Sequence, residues 1–111
     1  MFFLATAHWK LGETEQARKC YDQALHWIEN NRPGFGSNWN CTMDVAIRAA
    51  NWIVSLAYFR DSQYATDAFK FYLAKSLFQH GMHIVSNLEF SSITSNHYLS
   101  DISGLFMISL F

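Results

Sequence analysis

Apolar positions in this chain recur at spacings of three and four, over long stretches free of glycine and proline. That is the period of a helix face, and the alternation that a half-buried strand needs never lasts. Five helices are predicted, at about residues 2–10, 13–30, 42–59 and 64–85, and from near Ser95 to the end. The second opens on acids that suit a helix N-terminus and ends before NNRPGFG. Gly81 is a point where the fourth would loosen. The fold class is therefore all-α, about five helices in antiparallel hairpins. The longest irregular segment, residues 30–40, divides the chain into parts 1–33 and 34–111.

The first part carries Leu4, Ala5, Ala7, Leu11 and Gly12, then Ala17, Tyr21, Ala24, Leu25 and Pro33. Small residues let two helices approach closely, and Tyr21 is expected to fill the gap between them. Over about 33 residues this resembles a single tetratricopeptide repeat. One repeat cannot bury its apolar face, so the hairpin must pack on the helices of the second part.

The helix at 42–59 is apolar nearly all round, the mark of burial on most sides. Its exception is a stripe of Asp44, Arg48, Asn51 and Ser55 on one face. Two readings stand: a solvated edge with an Asp44–Arg48 pair, or a polar wall facing a cleft.

Composition narrows the partners. Half of the 111 residues are hydrophobic, 17% are aromatic and only 15% are charged, with a net charge of −1. No Lys/Arg patch exists to neutralise phosphates, which argues against nucleic acid and against an anionic membrane surface. No run approaches the roughly 20 apolar residues of a membrane span, and the start lacks the basic region of a signal peptide. Cys20 and Cys41 read as buried or half-buried thiols. No cofactor is implied.

Chemistry concentrates in the closing stretch, SSITSNHYLSDISGLFMISLF. Ser95 suits an N-cap, which makes Asn96 and His97 the first helical residues. Free N–H groups and the positive dipole end favour an anion there and disfavour a protonated imidazole. An amide beside a neutral base is what proton abstraction next to a carboxylate needs. The alternative is that the two residues merely cap the helix. His80 and His83 have a spacing compatible with two metal ligands, but sequence places no third ligand, so no metal site is expected. Met43, Met82 and Met107 read as core fillers. Nucleophile elbows, phosphate loops and glycosidase-type carboxylate pairs are not found.

The linked blocks Asn38-Trp39, MDVAIRAANW and SNHYLSDISGL, in this order and spacing, resemble the N-terminal helical domain of the heparinase II/III-like polysaccharide lyases over about residues 36–111. The resemblance implies part of an incomplete (α/α) toroid, followed in the family by β-sandwich domains. It implies an acidic, uronate-containing polysaccharide as partner, cleaved by β-elimination. Asn96 would neutralise the uronate carboxylate and His97 would serve in abstracting the C5 proton. Asn38 and Trp39 would line the sugar groove, Trp39 by stacking, and Arg48 would reach acid groups if its stripe faces that groove.

The family's general-acid tyrosine lies on a later helix, and a further histidine comes from the β-sandwich region. Tyr98 is expected to pack with Ile102 and Leu105 instead of substituting. The chain is therefore expected to be a truncated piece, inactive alone, with self-association a route to covering its apolar helix faces. A helical interaction or structural module without catalysis is the alternative. Localisation is not fixed by the sequence, although members of the family are often periplasmic or secreted.

Overall fold

The computed structural model describes residues 14–93 and 95–111, and the helix expected at 2–10 lies outside them. Among the described residues four α-helices occur in order: α1 Thr14–Asn30, α2 Thr42–Phe59, α3 Asp67–Ser86 and α4 Asn96–Leu110. No strand occurs among the described residues. The all-α expectation holds, and the arrangement is consistent with a helical toroid fragment.

Local chemistry sets the boundaries. Arg32 to Phe35 form a turn closed by Phe35 N–H to the Arg32 carbonyl, with Gly34 at φ +79°. A Pro-Gly pair supports this shape, because Pro fixes the first central φ and Gly accepts the positive second one. Gly36, at φ +86°, then leads into a single 3-10 turn, Ser37–Trp39, which carries Trp39 inward. The third helix begins at Asp67, three residues later than expected. Thr66 takes an extended conformation and its hydroxyl accepts from the Phe69 N–H at 3.2 Å, which defines the start.

Helix α2 is the centre, lying against α3, α4 and the 3-10 turn. Ala17, Cys20, Tyr21 and Ala24 bring one face of α1 to Ala49, Trp52 and Phe59 of α2 and to Phe69, Leu73 and Leu77 of α3. Tyr21 reaches both α2 and α3. Its hydroxyl donates to the Phe59 carbonyl at 2.7 Å, and its ring lies 4.4 Å from that of Phe69. A second cluster joins Trp39, Val45, Ala46 and Ile84, with Trp27 packed against both clusters.

Gly81 does not loosen its helix, since α3 runs unbroken through it. Both buried helical glycines instead mark close approaches. A Cβ on Gly81 would meet Ile108 at 3.4 Å, an ordinary contact, whereas one on Gly104 would stand 2.7 Å from the Ala46 Cβ and 2.9 Å from its Cα. Of the expected methionine fillers, Met82 is 53% exposed. It belongs with Phe71, Phe78 and Val85 to an open apolar face of α3, and Leu99, Ile102, Phe106 and Leu110 form another on α4.

The two glycines should respond oppositely to alanine. Gly81→Ala should leave stability unchanged or raise it by up to about 1 kcal/mol, the helix-propensity gain. Gly104→Ala should lower it by about 2 kcal/mol, because overpacking outweighs that gain. Urea denaturation of both variants checks this, and equal stabilities would mean that α2 and α4 cross farther apart.

Candidate functional site

The stripe on α2 faces a cleft. Gln23, His26, Trp27, Asn30 and Asn31 form one wall, and Asp44, Ile47, Arg48, Asn51 and Trp52 form the other, around about 540 Å³. Ser55, the fourth stripe residue, turns instead into the apolar core. Indole and amide groups dominate the walls, a chemistry suited to a polar ligand with flat apolar faces, such as a sugar.

Arg48 is not engaged as the solvated-edge reading supposes. Its Nε–H donates to His80 Nε2 at 2.9 Å and an Nη1–H to the Asn38 carbonyl at 3.1 Å. The guanidinium carbon lies 4.0 Å from the Trp27 ring centroid and 5.2 Å from that of Trp39, a cation–π contact with two indoles. Burial pushes Arg48 down to about 10, with Asp44 acting in the opposite direction.

His80 is fully buried and its tautomer is determined by its partners. The Ser76 carbonyl, 2.7 Å from Nδ1, only accepts, so Nδ1 carries the proton and Nε2 is free to accept from Arg48. Burial pushes the imidazole down to about 4; the Ser76 carbonyl raises it, and the charges of Arg48 and His83 lower it further. The His80–His83 pair is thus not a metal pair: Nε2 of the first is occupied by Arg48.

The structure brings Asn38, Trp39 and Arg48 together, but in roles that differ from those expected. Asn38 donates from its amide to Asn31 Oδ1 at 2.7 Å, closing the 31–38 loop. Trp39 is 2% exposed, with ring centroids 4.8 Å from His80 and 5.1 Å from His83. Its faces support Arg48 and the two histidines and are not open to a sugar. The Trp39 Nε1 and Arg48 Nη2 atoms are buried with no hydrogen-bond partner among the described residues.

Asn96 and His97 stand elsewhere, on the first turn of α4. His97 Nδ1 lies 3.1 Å from Glu89 Oε1, and a carboxylate only accepts, so Nδ1 donates, and in the neutral ring the lone pair is on Nε2. Glu89 is itself fixed. Its Oε2 accepts from the Met43 N–H at 2.9 Å, capping the positive end of α2, and its own N–H donates to Asp101 Oδ2 at 2.9 Å. Asp101 is fully buried and its carboxyl is pushed up by burial, against the Glu89 N–H. Ser95 occupies the N-cap position, as expected, but makes no side-chain cap bond among the described residues. Asn96 lines a shallow depression with Tyr98, Leu99 and Ile102. Tyr98 packs edge-on against Phe90 at 5.3 Å, a loop residue that the helix pattern did not suggest.

Sequence reasoning missed Trp27, His80, Glu89 and Asp101 as parts of these arrangements. Helical spacing shows which residues share a face, and all four act across elements.

The scaffold is all-α among the described residues, with an indole-and-amide cleft and, apart from it, an imidazole at a helix N-terminus. The sequence model of the Heparinase II/III N-terminus family matches residues 2–111, and the chain belongs to that family. It is a polysaccharide-lyase-related domain, and the match takes in the first part of the chain as well as the second. Neither the curated proteins nor the solved structures gave a match. Among the described residues no helix is long and apolar enough to cross a membrane.

His80 predicts a pH dependence. Its folded value lies below its ordinary 6.5, so the unfolded chain takes up a proton that the folded chain refuses. Stability should fall as pH drops from 6.5 towards about 4, by about 3 kcal/mol for the whole shift. Asp101 acts in the opposite sense, its raised folded value favouring the fold at low pH. Comparison with His80→Gln at each pH removes that contribution. Chemical denaturation should show a flatter stability–pH curve for the variant, and parallel curves would refute the assignment.

Proposed function

We propose that this chain supplies the carboxylate-neutralising and proton-abstracting groups of a lyase acting on uronate polysaccharides, with Asn96 and His97 in those roles. The observation that carries this reading is the His97–Glu89 contact. With Nδ1 donating to Glu89, the neutral ring offers Nε2 as a basic lone pair, half-exposed, at the first turn of α4. In β-elimination that lone pair takes the C5 proton beside the carboxylate. The C–H electrons form the C4–C5 double bond, and the bond to the O4 leaving oxygen breaks. The neighbouring Asn96 amide disperses the charge that builds on the carboxylate in the transition state.

In this reading the α1–α2 cleft binds neighbouring sugar residues, with Trp27 and Trp52 as its apolar surfaces and Asp44, Asn31 and Asn51 as its polar ones. Arg48, expected to reach acid groups, acts mainly by holding Trp27 and the Asn38 turn in place. The leaving oxygen must also be protonated, and no general acid is assigned within this chain. Binding without efficient turnover is therefore the expected behaviour of the chain by itself.

Calorimetry with uronate and neutral oligosaccharides of equal length tests the reading, together with the ultraviolet absorbance of the unsaturated product. The uronate ligand should bind more tightly. Asn96→Ala should weaken it about tenfold, or about 1.4 kcal/mol, and His97→Ala should abolish any slow product formation with little change in affinity. Equal binding of acidic and neutral sugars, or product formation that survives His97→Ala, would overturn it.

A further inference from the structure

Cys41, Glu89 and His97 arrive from three places in the chain: the residue before α2, the α3–α4 loop and the first turn of α4. Each offers one ligand atom, and these atoms all lie within 4.8 Å of one another. We propose that this triangle binds a thiophilic divalent cation of the zinc class, with the fourth position left to water. The reading does not rest on the lyase proposal, although it shares His97 with it.

Four features favour the site. The donor set of thiolate, imidazole and carboxylate is one that zinc accepts and that magnesium or calcium does not favour. His97 Nδ1 and Glu89 Oε1 are 3.1 Å apart, near the roughly 3.3 Å separating two ligands on a tetrahedral zinc with 2.0–2.1 Å bonds. Glu89 is held from behind by the Met43 and Asp101 contacts, the kind of outer support that fixes a ligand before the ion arrives. Cys41, although it occupies the N-cap position of α2, makes no side-chain cap bond, so its sulfur is unspent.

Charge points the same way. A Cys41 thiolate and the Glu89 carboxylate balance a divalent ion. Behind them the fully buried Asp101 keeps an Oδ1 with no hydrogen-bond partner among the described residues, and a nearby cation would give it a counter-charge. All three ligand residues are half-buried, which leaves a path for entry. An ion on Nδ1 would take the place of its proton, and the neutral ring would then carry its proton on Nε2, so the site would act as a metal-dependent off-switch for proton abstraction.

The test uses the reduced, metal-stripped chain and no polysaccharide, so its outcome is separate from that of the lyase reading. Cobalt(II) titration should give a sulfur-to-cobalt charge-transfer band in the near ultraviolet, saturating at one equivalent and displaced by zinc. Cys41→Ser should abolish the band and His97→Ala should weaken cobalt binding at least tenfold, each with helical circular dichroism retained. Cys20→Ala, at the other and buried cysteine, should change neither. Absence of a band in the unmodified chain, its survival in Cys41→Ser, full-strength binding by His97→Ala, or its loss in Cys20→Ala would overturn the proposal.

Discussion

The structure turns on a half-buried guanidinium that forms no carboxylate ion pair among the described residues. Arg48 is held by a neutral imidazole, a backbone carbonyl and two indole faces. Those four partners belong to α3, to the 3-10 turn and to α1, so one α2 side chain pins every element around it except α4. The arrangement requires His80 to stay neutral, because a protonated ring would present a second positive charge where an acceptor is needed. Burial, with the charge of Arg48, secures the neutral state, and the Ser76 carbonyl fixes the tautomer. An Arg48→Lys change would keep the charge and lose the flat stacking surface and the second donor, so the two residues are not interchangeable here.

A similar device works at the start of α2 with a different result. There Glu89 joins the α2 N-terminus, the α3–α4 loop and α4 through Met43, its own backbone and His97. Both histidines donate from Nδ1, one to a carbonyl and one to a carboxylate. What separates them is access. His80 is sealed and its Nε2 is occupied, whereas His97 is half-exposed with Nε2 unspent. Identical side chains thus become a structural acceptor and a candidate base.

Much of the fold was legible in the sequence. The span of α2 follows from its apolar run at 42–59, and the end of α1 from the turn chemistry of Pro33 and Gly34. The Asp44–Arg48–Asn51 stripe does form a cleft wall, as one of its two readings held. Gly81 and Gly104 look alike in sequence, and only the crossing of α2 and α4 at Ala46 tells them apart. The site was legible in its residues more than in their roles. Trp39 and Asn38 sit beside Arg48, yet one is buried and the other is tied to Asn31. Glu89 and Cys41 carry no periodic signal, because they meet His97 only through the loop that returns the chain to the start of α2.

The central claim is that two histidines are held in one fixed tautomer for two different tasks. Long-range proton–nitrogen correlation NMR on nitrogen-15-labelled protein reads that state directly at neutral pH. His80 should appear with the proton on Nδ1 and an unprotonated Nε2, remaining neutral on acidification until about pH 4, and the neutral form of His97 should show the same tautomer. A neutral His97 with its proton on Nε2 or averaged between the two nitrogens, or a His80 that titrates near its ordinary 6.5, would contradict the account.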